Sequence, residues 1–125
     1  MLERVLLVDD DEDMRAAMDE ALRRLGVRHL VEAGSLRDVE DQREDALGCQ
    51  LAVVDINLGY GEPTGINVFE WLESQGFTGR IVFLTGHGSQ DPRVKHAASL
   101  AGSQIASKPI TTAKLRDMIE GASPA

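Results

Sequence analysis

A single cysteine, Cys49, is all the thiol chemistry available to this chain of 125 residues. One cysteine cannot close an internal disulfide, which fits a reducing compartment. Its place beside an apolar run reads as core packing rather than a reactive thiol. Long hydrophobic runs are missing too. No stretch approaches the roughly 18 apolar residues of a membrane span, and the opening Met1-Leu-Glu-Arg has neither the charged start nor the apolar stretch of a signal peptide. These absences predict a cytoplasmic protein that does not engage membranes. Positive charge is scarce: Lys and Arg total 13 against 21 Asp and Glu, a formal net charge of −8. That surplus repels nucleic acid and anionic lipid, and leaves cations and basic protein surfaces as partners. Nor does the chain contain a repeat, a low-complexity tract or a linker, so residues 1–125 read as one domain. His29, His87 and His96 are scattered, and no Cys or His cluster offers a site to a softer metal.

Against these absences stands a recurring kind of segment. Val5–Val8, Leu51–Val54 and Ile81–Leu84 are apolar runs of four residues without alternation, the pattern of strands buried on both faces of a parallel sheet. His29–Glu32 and Gln104–Ser107 are weaker strands, placed by their position between helices. Met14, Ala17, Met18, Ala21, Leu22 and Leu25 form one helical stripe, closed by Gly26. Ser35 caps a second helix to about Leu47. Ile66, Phe69 and Leu72 mark a third, ended by Gly76. Val94, Ala97, Ala98 and Ala101 mark a fourth, entered through Asp91-Pro92. Leu115, Met118 and Ile119 mark a fifth over about Thr112–Glu120. Five strands alternating with five helices predict an α/β fold of parallel βαβ units with helices on both sheet faces. Ligands of such sheets bind beyond the carboxyl ends of the strands, so the residues that end the strands are the candidate site.

Those residues are polar. The first strand ends in Asp9-Asp10, the third in Asp55 and the fourth in Thr85, while Lys108-Pro109 follows the fifth. The run Asp9 to Asp13 is five consecutive acids. Asp11, Glu12 and Asp13 are explained by a helix start, where acids meet free N–H groups and the positive end of the macrodipole. Asp9 and Asp10 need another reason, as does Asp55. A hard divalent cation supplies one: Mg²⁺ takes oxygen ligands, keeps several waters, and needs only one or two direct carboxylates.

VLLVDD, LAVVDIN, IVFLTG and SKPI, in this order and over nearly the whole chain, resemble the receiver domain of bacterial two-component response regulators. The resemblance implies a single flavodoxin-like (βα)5 domain with strand order 2-1-3-4-5. It implies that Asp55 accepts a phosphoryl group from a histidine kinase or histidine phosphotransfer protein, and that Mg²⁺ is held by Asp10, Asp55 and the backbone carbonyl of Asn57, with Asp9 acting through water. Thr85 is then the hydroxyl that bonds the phosphate, Lys108 the ammonium that pairs with it, and Pro109 a cis-proline. A signalling domain is implied, one that catalyses only its own phosphorylation and dephosphorylation. Its downstream target is an unknown protein, and the fourth helix, fifth strand and fifth helix form a partner or homodimer surface. The chemistry suits these residue types, since phosphoryl transfer depends on positioning and on neutralising charge around the phosphorus.

Three departures accompany the resemblance. The segment INLGYGEPTGI after Asp55 runs two residues longer than usual, with Leu58-Gly59 for the common Met-Pro, and reads as a flap beside the site; no GK[ST] follows, which excludes a Walker loop. Ile105 stands where an aromatic residue usually completes the switch. Asn57 and His87, two residues beyond Asp55 and Thr85, hold positions that in this family flank the path of the hydrolytic water. The chain stops at Ala125 without an output domain, as expected of a stand-alone regulator or of a receiver from a larger protein. Two other functions compete: a receiver-like binding module that does not use phosphate, suggested by Ile105, and a haloacid-dehalogenase-type phosphatase, whose nucleophile motif Asp9-x-Asp11 imitates.

Overall fold

The computed structural model describes residues 3–56, 58, 64–86, 103–107 and 111–122. Their order is β1 (Arg4–Val8), α1 (Glu12–Arg24), β2 (His29–Ala33), α2 (Leu36–Asp41), α3 (Arg43–Leu47), β3 (Leu51–Asp55), α4 (Gly65–Ser74), β4 (Arg80–Thr85), β5 (Ser103–Ser107) and α5 (Thr112–Ala122). The five strands form one sheet in the order β2-β1-β3-β4-β5, and every pairing is parallel. The expected doubly wound architecture is therefore present. The fourth predicted helix falls on residues 92–101, outside the described residues.

Alternation along the strands explains why their sequences are apolar without a break. Leu6, Val8, Ala52, Val54, Ile81 and Phe83 enter one core cluster with Val39, Ala46, Ile66, Phe69 and Leu72 from α2, α3 and α4. Val5, Leu7, Leu51, Val53, Val82 and Leu84 enter the other with Met18 and Leu22 of α1 and Leu115 and Met118 of α5. Successive side chains thus face opposite layers, and a polar residue at either parity would be buried. At about 25 cal/mol per Å² of apolar surface removed from water, these two layers are the main favourable contribution to folding.

Helix boundaries follow local chemistry. Asp11 caps α1 by accepting from the backbone N–H groups of Asp13 (2.9 Å) and Met14 (3.2 Å), and Gly26 leaves the helix with φ +104. Ser35 Oγ accepts from the N–H of Asp38 at 3.2 Å. The single second helix expected over 35–47 is instead two short ones. Gln42 breaks it, with φ −111 and ψ 31. Its side-chain amide donates to the carbonyls of Glu32 (2.9 Å) and Asp38 (3.2 Å), which competes with helix continuation. The apolar stripe runs on through the break, so periodicity alone does not reveal it. In the α1 stripe, Met18 and Leu22 are buried and Ala17, at its margin, is exposed.

Candidate functional site

The register of the sheet brings the site together. Val8 of β1 pairs with Val54 of β3, so one residue further along each strand Asp9 lies beside Asp55. Neighbouring strands are about 4.8 Å apart, and this point, where strand order reverses between β1 and β3, is where open α/β sheets form their ligand crevice. Carboxylate oxygens of Asp9, Asp10 and Asp55 all lie within 4.8 Å of one another. Asp9 is 0% and Asp55 4% exposed, whereas Asp10 faces solvent.

Asp9 is held from several directions. Its N–H donates to the carbonyl of Ala33 at 3.0 Å, which extends the β1–β2 ladder by one residue. Its Oδ1 accepts from the N–H of Asp11 at 2.9 Å, turning the chain into α1. Its carbonyl accepts from Nη1 of Arg15 at 2.6 Å. The five-acid run consequently divides as its chemistry suggests: Asp11, Glu12 and Asp13 are exposed and serve the helix start, and Asp9 and Asp10 join Asp55. Oδ1 of Asp11 is engaged in the cap, which weighs against a dehalogenase-type Asp-x-Asp pair facing the site.

Asp55 is fixed through its own backbone neighbours. The N–H of Ile56 donates to Leu84 of β4 at 3.0 Å, and the N–H of Gly65 donates to Ile56 at 2.8 Å. Gly65 sits so close to β3 that a Cβ would overlap the Asp55 carbonyl oxygen and lie 2.9 Å from Cγ1 of Val54. Here glycine serves close backbone approach. Thr64 begins α4, its N–H donating to Oδ1 of Asn67 at 2.9 Å. Thr85, 3% exposed, ends β4 beside Ser107 of β5. Ile105 is partly buried against the α2–α4 layer. Of the segment 56–66 expected as a flap, Ile56 and Leu58 are buried in the core and Thr64, Gly65 and Ile66 form the start of α4; its Asn57 and residues 59–63, with His87, Lys108 and Pro109, lie outside the described residues.

An all-oxygen set of three carboxylates suits a hard cation. At Mg²⁺–O distances of 2.0–2.1 Å, ligand oxygens are about 2.9 Å apart when adjacent and about 4.2 Å when opposite. The spacing of the three carboxylates is therefore close to what one ion spans, and a dication offsets a charge of −3 that burial makes costly. Two residues that matter here escaped sequence reading. Arg15 is one polar position among several in the α1 pattern, and Gly65 one of three glycines in the segment after Asp55. No descriptor of the sequence by itself separates Gly65 from Gly59 and Gly61.

A search of curated proteins returns no match to this sequence. Solved structures, by contrast, resemble the whole fold. A CheY-like response regulator receiver domain from Methylobacillus flagellatus superposes with a TM-score of 0.80 at 20% identity, covering 98% of this chain and 100% of that one. Another from Methanospirillum hungatei JF-1 gives 0.81 at 22%, covering 97% and 93%. The BeF3-activated DrrB receiver domain gives 0.76 at 18%, covering 98% and 97%. At such identities the likeness concerns the fold alone. The family model for the response regulator receiver domain, however, matches residues 5–120 in sequence, and on that match the chain belongs to the response regulator receiver domain family.

Proposed function

We propose that this chain is a phosphoacceptor module of a two-component phosphorelay, with Asp55 taking a phosphoryl group from the phosphohistidine of a histidine kinase or histidine phosphotransfer protein. The observation that carries the reading is the meeting of Asp9, Asp10 and Asp55 at the β1/β3 crevice. A buried carboxylate nucleophile needs its charge offset before a phosphoryl group can approach. Asp10, Asp55 and the Asn57 carbonyl would hold Mg²⁺ directly, with Asp9 orienting it through water. The ion's contribution is to neutralise charge on the phosphoryl oxygens and align them for in-line transfer. Asp55 supplies the attacking oxygen while the histidine nitrogen leaves. The hydroxyl of Thr85 at the end of β4 donates a hydrogen bond to the new phosphate, and Lys108 adds a point charge.

Output is by protein–protein contact with a downstream target, in the cytoplasm, and with no part for nucleic acid or membrane. Among the described residues no helix is long and apolar enough to cross a membrane, and the net charge of −8 opposes both polyanions. With Ile105 in the aromatic position, movement of Thr85 toward phosphate is read out by the loops after β4 and β5 rather than by a swinging ring.

The deciding experiment is intact-mass measurement after incubation with Mg²⁺ and acetyl phosphate. One phosphoryl adduct is expected on the wild type and none on Asp55→Asn. An adduct that survives Asp55→Asn but is lost in Asp9→Asn would move the nucleophile to β1 and support the phosphatase alternative. Absence of both adduct and Mg²⁺ binding would support a binding module that works without phosphate.

A further inference from the structure

We infer that Arg15 is a positioning residue for the carboxylate cluster: its guanidinium fixes the turn between β1 and α1 so that Asp9 and Asp10 are presented to a divalent cation. The inference rests on the reading of that cluster as a cation site. Arg15 is the fourth residue of α1, and helical side chains lean toward the amino end of their helix. Its long stem accordingly runs back toward the turn that leads into α1. There Nη1 donates to the Asp9 carbonyl at 2.6 Å, and Nε lies 3.8 Å from Oε1 of Glu32 on β2. Room for the group comes from Gly34, where a Cβ would stand 2.9 Å from Nη1. Only 18% of the Arg15 side chain is exposed.

The location of the hydrogen bond is what gives it function. The β1–β2 ladder ends at the Asp9 N–H because β2 ends at Ala33, and Arg15 supplies to the Asp9 carbonyl a donor that a longer β2 would have offered. Water can fill such a position on a strand end at small cost. A largely buried guanidinium instead locks the peptide between Asp9 and Asp10, which determines where both carboxylates start. Groups that orient metal ligands are worth about 10–100-fold in metal affinity.

Charge and position push in opposite directions here, which makes the inference easy to break. As a cation beside three carboxylates, Arg15 weakens Mg²⁺ binding by Coulomb repulsion. As a clamp on the turn, it strengthens binding. Arg15→Met keeps much of the stem and removes both effects; Arg15→Lys keeps the charge but not the planar fork. If positioning dominates, Arg15→Met binds Mg²⁺ about 10-fold more weakly and Arg15→Lys shows a smaller loss. If charge dominates, Arg15→Met binds more tightly.

Calorimetric titration with Mg²⁺ alone, beside urea unfolding of each variant, separates these cases. Weaker binding by folded Arg15→Met, with the acetyl phosphate labelling rate restored at saturating Mg²⁺, is the expected result. Unchanged or tighter binding overturns the inference, even where stability has fallen, because a purely structural arginine would lower the unfolding midpoint and leave the dissociation constant alone. Should Arg15→Met not fold, Arg15→Lys decides: weaker binding than wild type supports the clamp, and equal or tighter binding ends it. Failure of the wild type itself to bind Mg²⁺ would instead overturn the cation-site reading on which the clamp depends.

Discussion

The two edges of the sheet handle charge differently. At the amino edge, β1, β2 and β4 begin with Arg4, His29 and Arg80, and Arg4, Arg23, Arg28 and His29, with the acidic Asp45, line an open cleft of about 370 Å³. Arg4, Arg23, Arg28 and His29 are exposed, and Arg23 is already bonded to Asp19 at 2.6 Å. Cations there are solvated, and solvated charge needs no partner. At the carboxyl edge the charges of Asp9 and Asp55 are buried side by side. Burial of like charges is costly unless something compensates it. Burial of Asp9 and Asp55 therefore distinguishes the chemical site from a charged surface, and the two edges should respond very differently to perturbation.

The largest contrast is expected between two glycines. A Cβ at Gly65, on the carboxyl side, would press into the Asp55 backbone, which is hydrogen-bonded within the sheet and cannot retreat. We predict that Gly65→Ala destabilises by about 3 kcal/mol, the upper range for overpacking, and slows phosphorylation of Asp55 because the strand end shifts. A Cβ at Gly121, in α5, would also meet a neighbour, but that neighbour is the far end of the Arg80 side chain, which can move aside. Gly121→Ala should change stability by no more than about 0.5 kcal/mol. Urea midpoints followed by fluorescence of Trp71, the only tryptophan, measure both. Equal midpoints for the two variants would show that β3 yields as readily as an arginine tip.

Magnesium should act on one edge alone. A ligand that binds only the folded state stabilises by about 2.7 kcal/mol when present at 100 times its dissociation constant. The wild type should show that gain in a thermal melt. Asp9→Asn should lose most of it, while being more stable than wild type without Mg²⁺ because one of three crowded charges is gone. Arg28→Gln at the opposite edge should keep the full gain. A Mg²⁺ effect that survives Asp9→Asn would point to binding elsewhere on this acidic surface.

Cys49 tests how little the amino-edge cations can do. Its thiol is pushed up from the usual 9.0 to about 11 by burial first of all; the charge of Arg4 pulls it down and that of Asp45 adds to the rise. Two pH units correspond to about 100-fold less thiolate. Labelling by a thiol reagent should therefore be slow in the native protein and fast beyond the urea midpoint. Rapid native labelling would mean that Arg4 outweighs desolvation.

Much of this was legible in the sequence, for identifiable reasons. Four-residue apolar runs locate β1, β3 and β4 because each parity faces a helix layer, and polar residues ending those runs reveal the crevice. The acid run divides where helix capping stops being a sufficient explanation. What stayed hidden depends on contacts that no periodicity records. Gln42 splits a helix by turning its own side chain back to Glu32 and Asp38. Arg15 reaches a carbonyl six residues earlier, and Gly65 matters because β3 runs beneath it.

Glu32 provides the smallest and most discriminating test, since it belongs to the carboxyl half of β2 yet is exposed. Its carboxyl pKa is raised from 4.5 by burial, then by a hydrogen bond and like charge from Asp19, while Arg15 and Arg23 pull it down. A carboxyl with a raised folded pKa favours the folded state when protonated. Its contribution is thus complete below the unfolded value and lost as pH rises through the folded one. Glu32→Gln should then match wild type at about pH 4 and gain on it as pH climbs past 4.5. With the side chain 37% exposed, solvent screening limits the gain to about 0.5 kcal/mol or less. Urea midpoints of both proteins across that interval measure it. A gain of several kcal/mol would make position at the carboxyl edge, rather than burial, the property that renders a charge expensive.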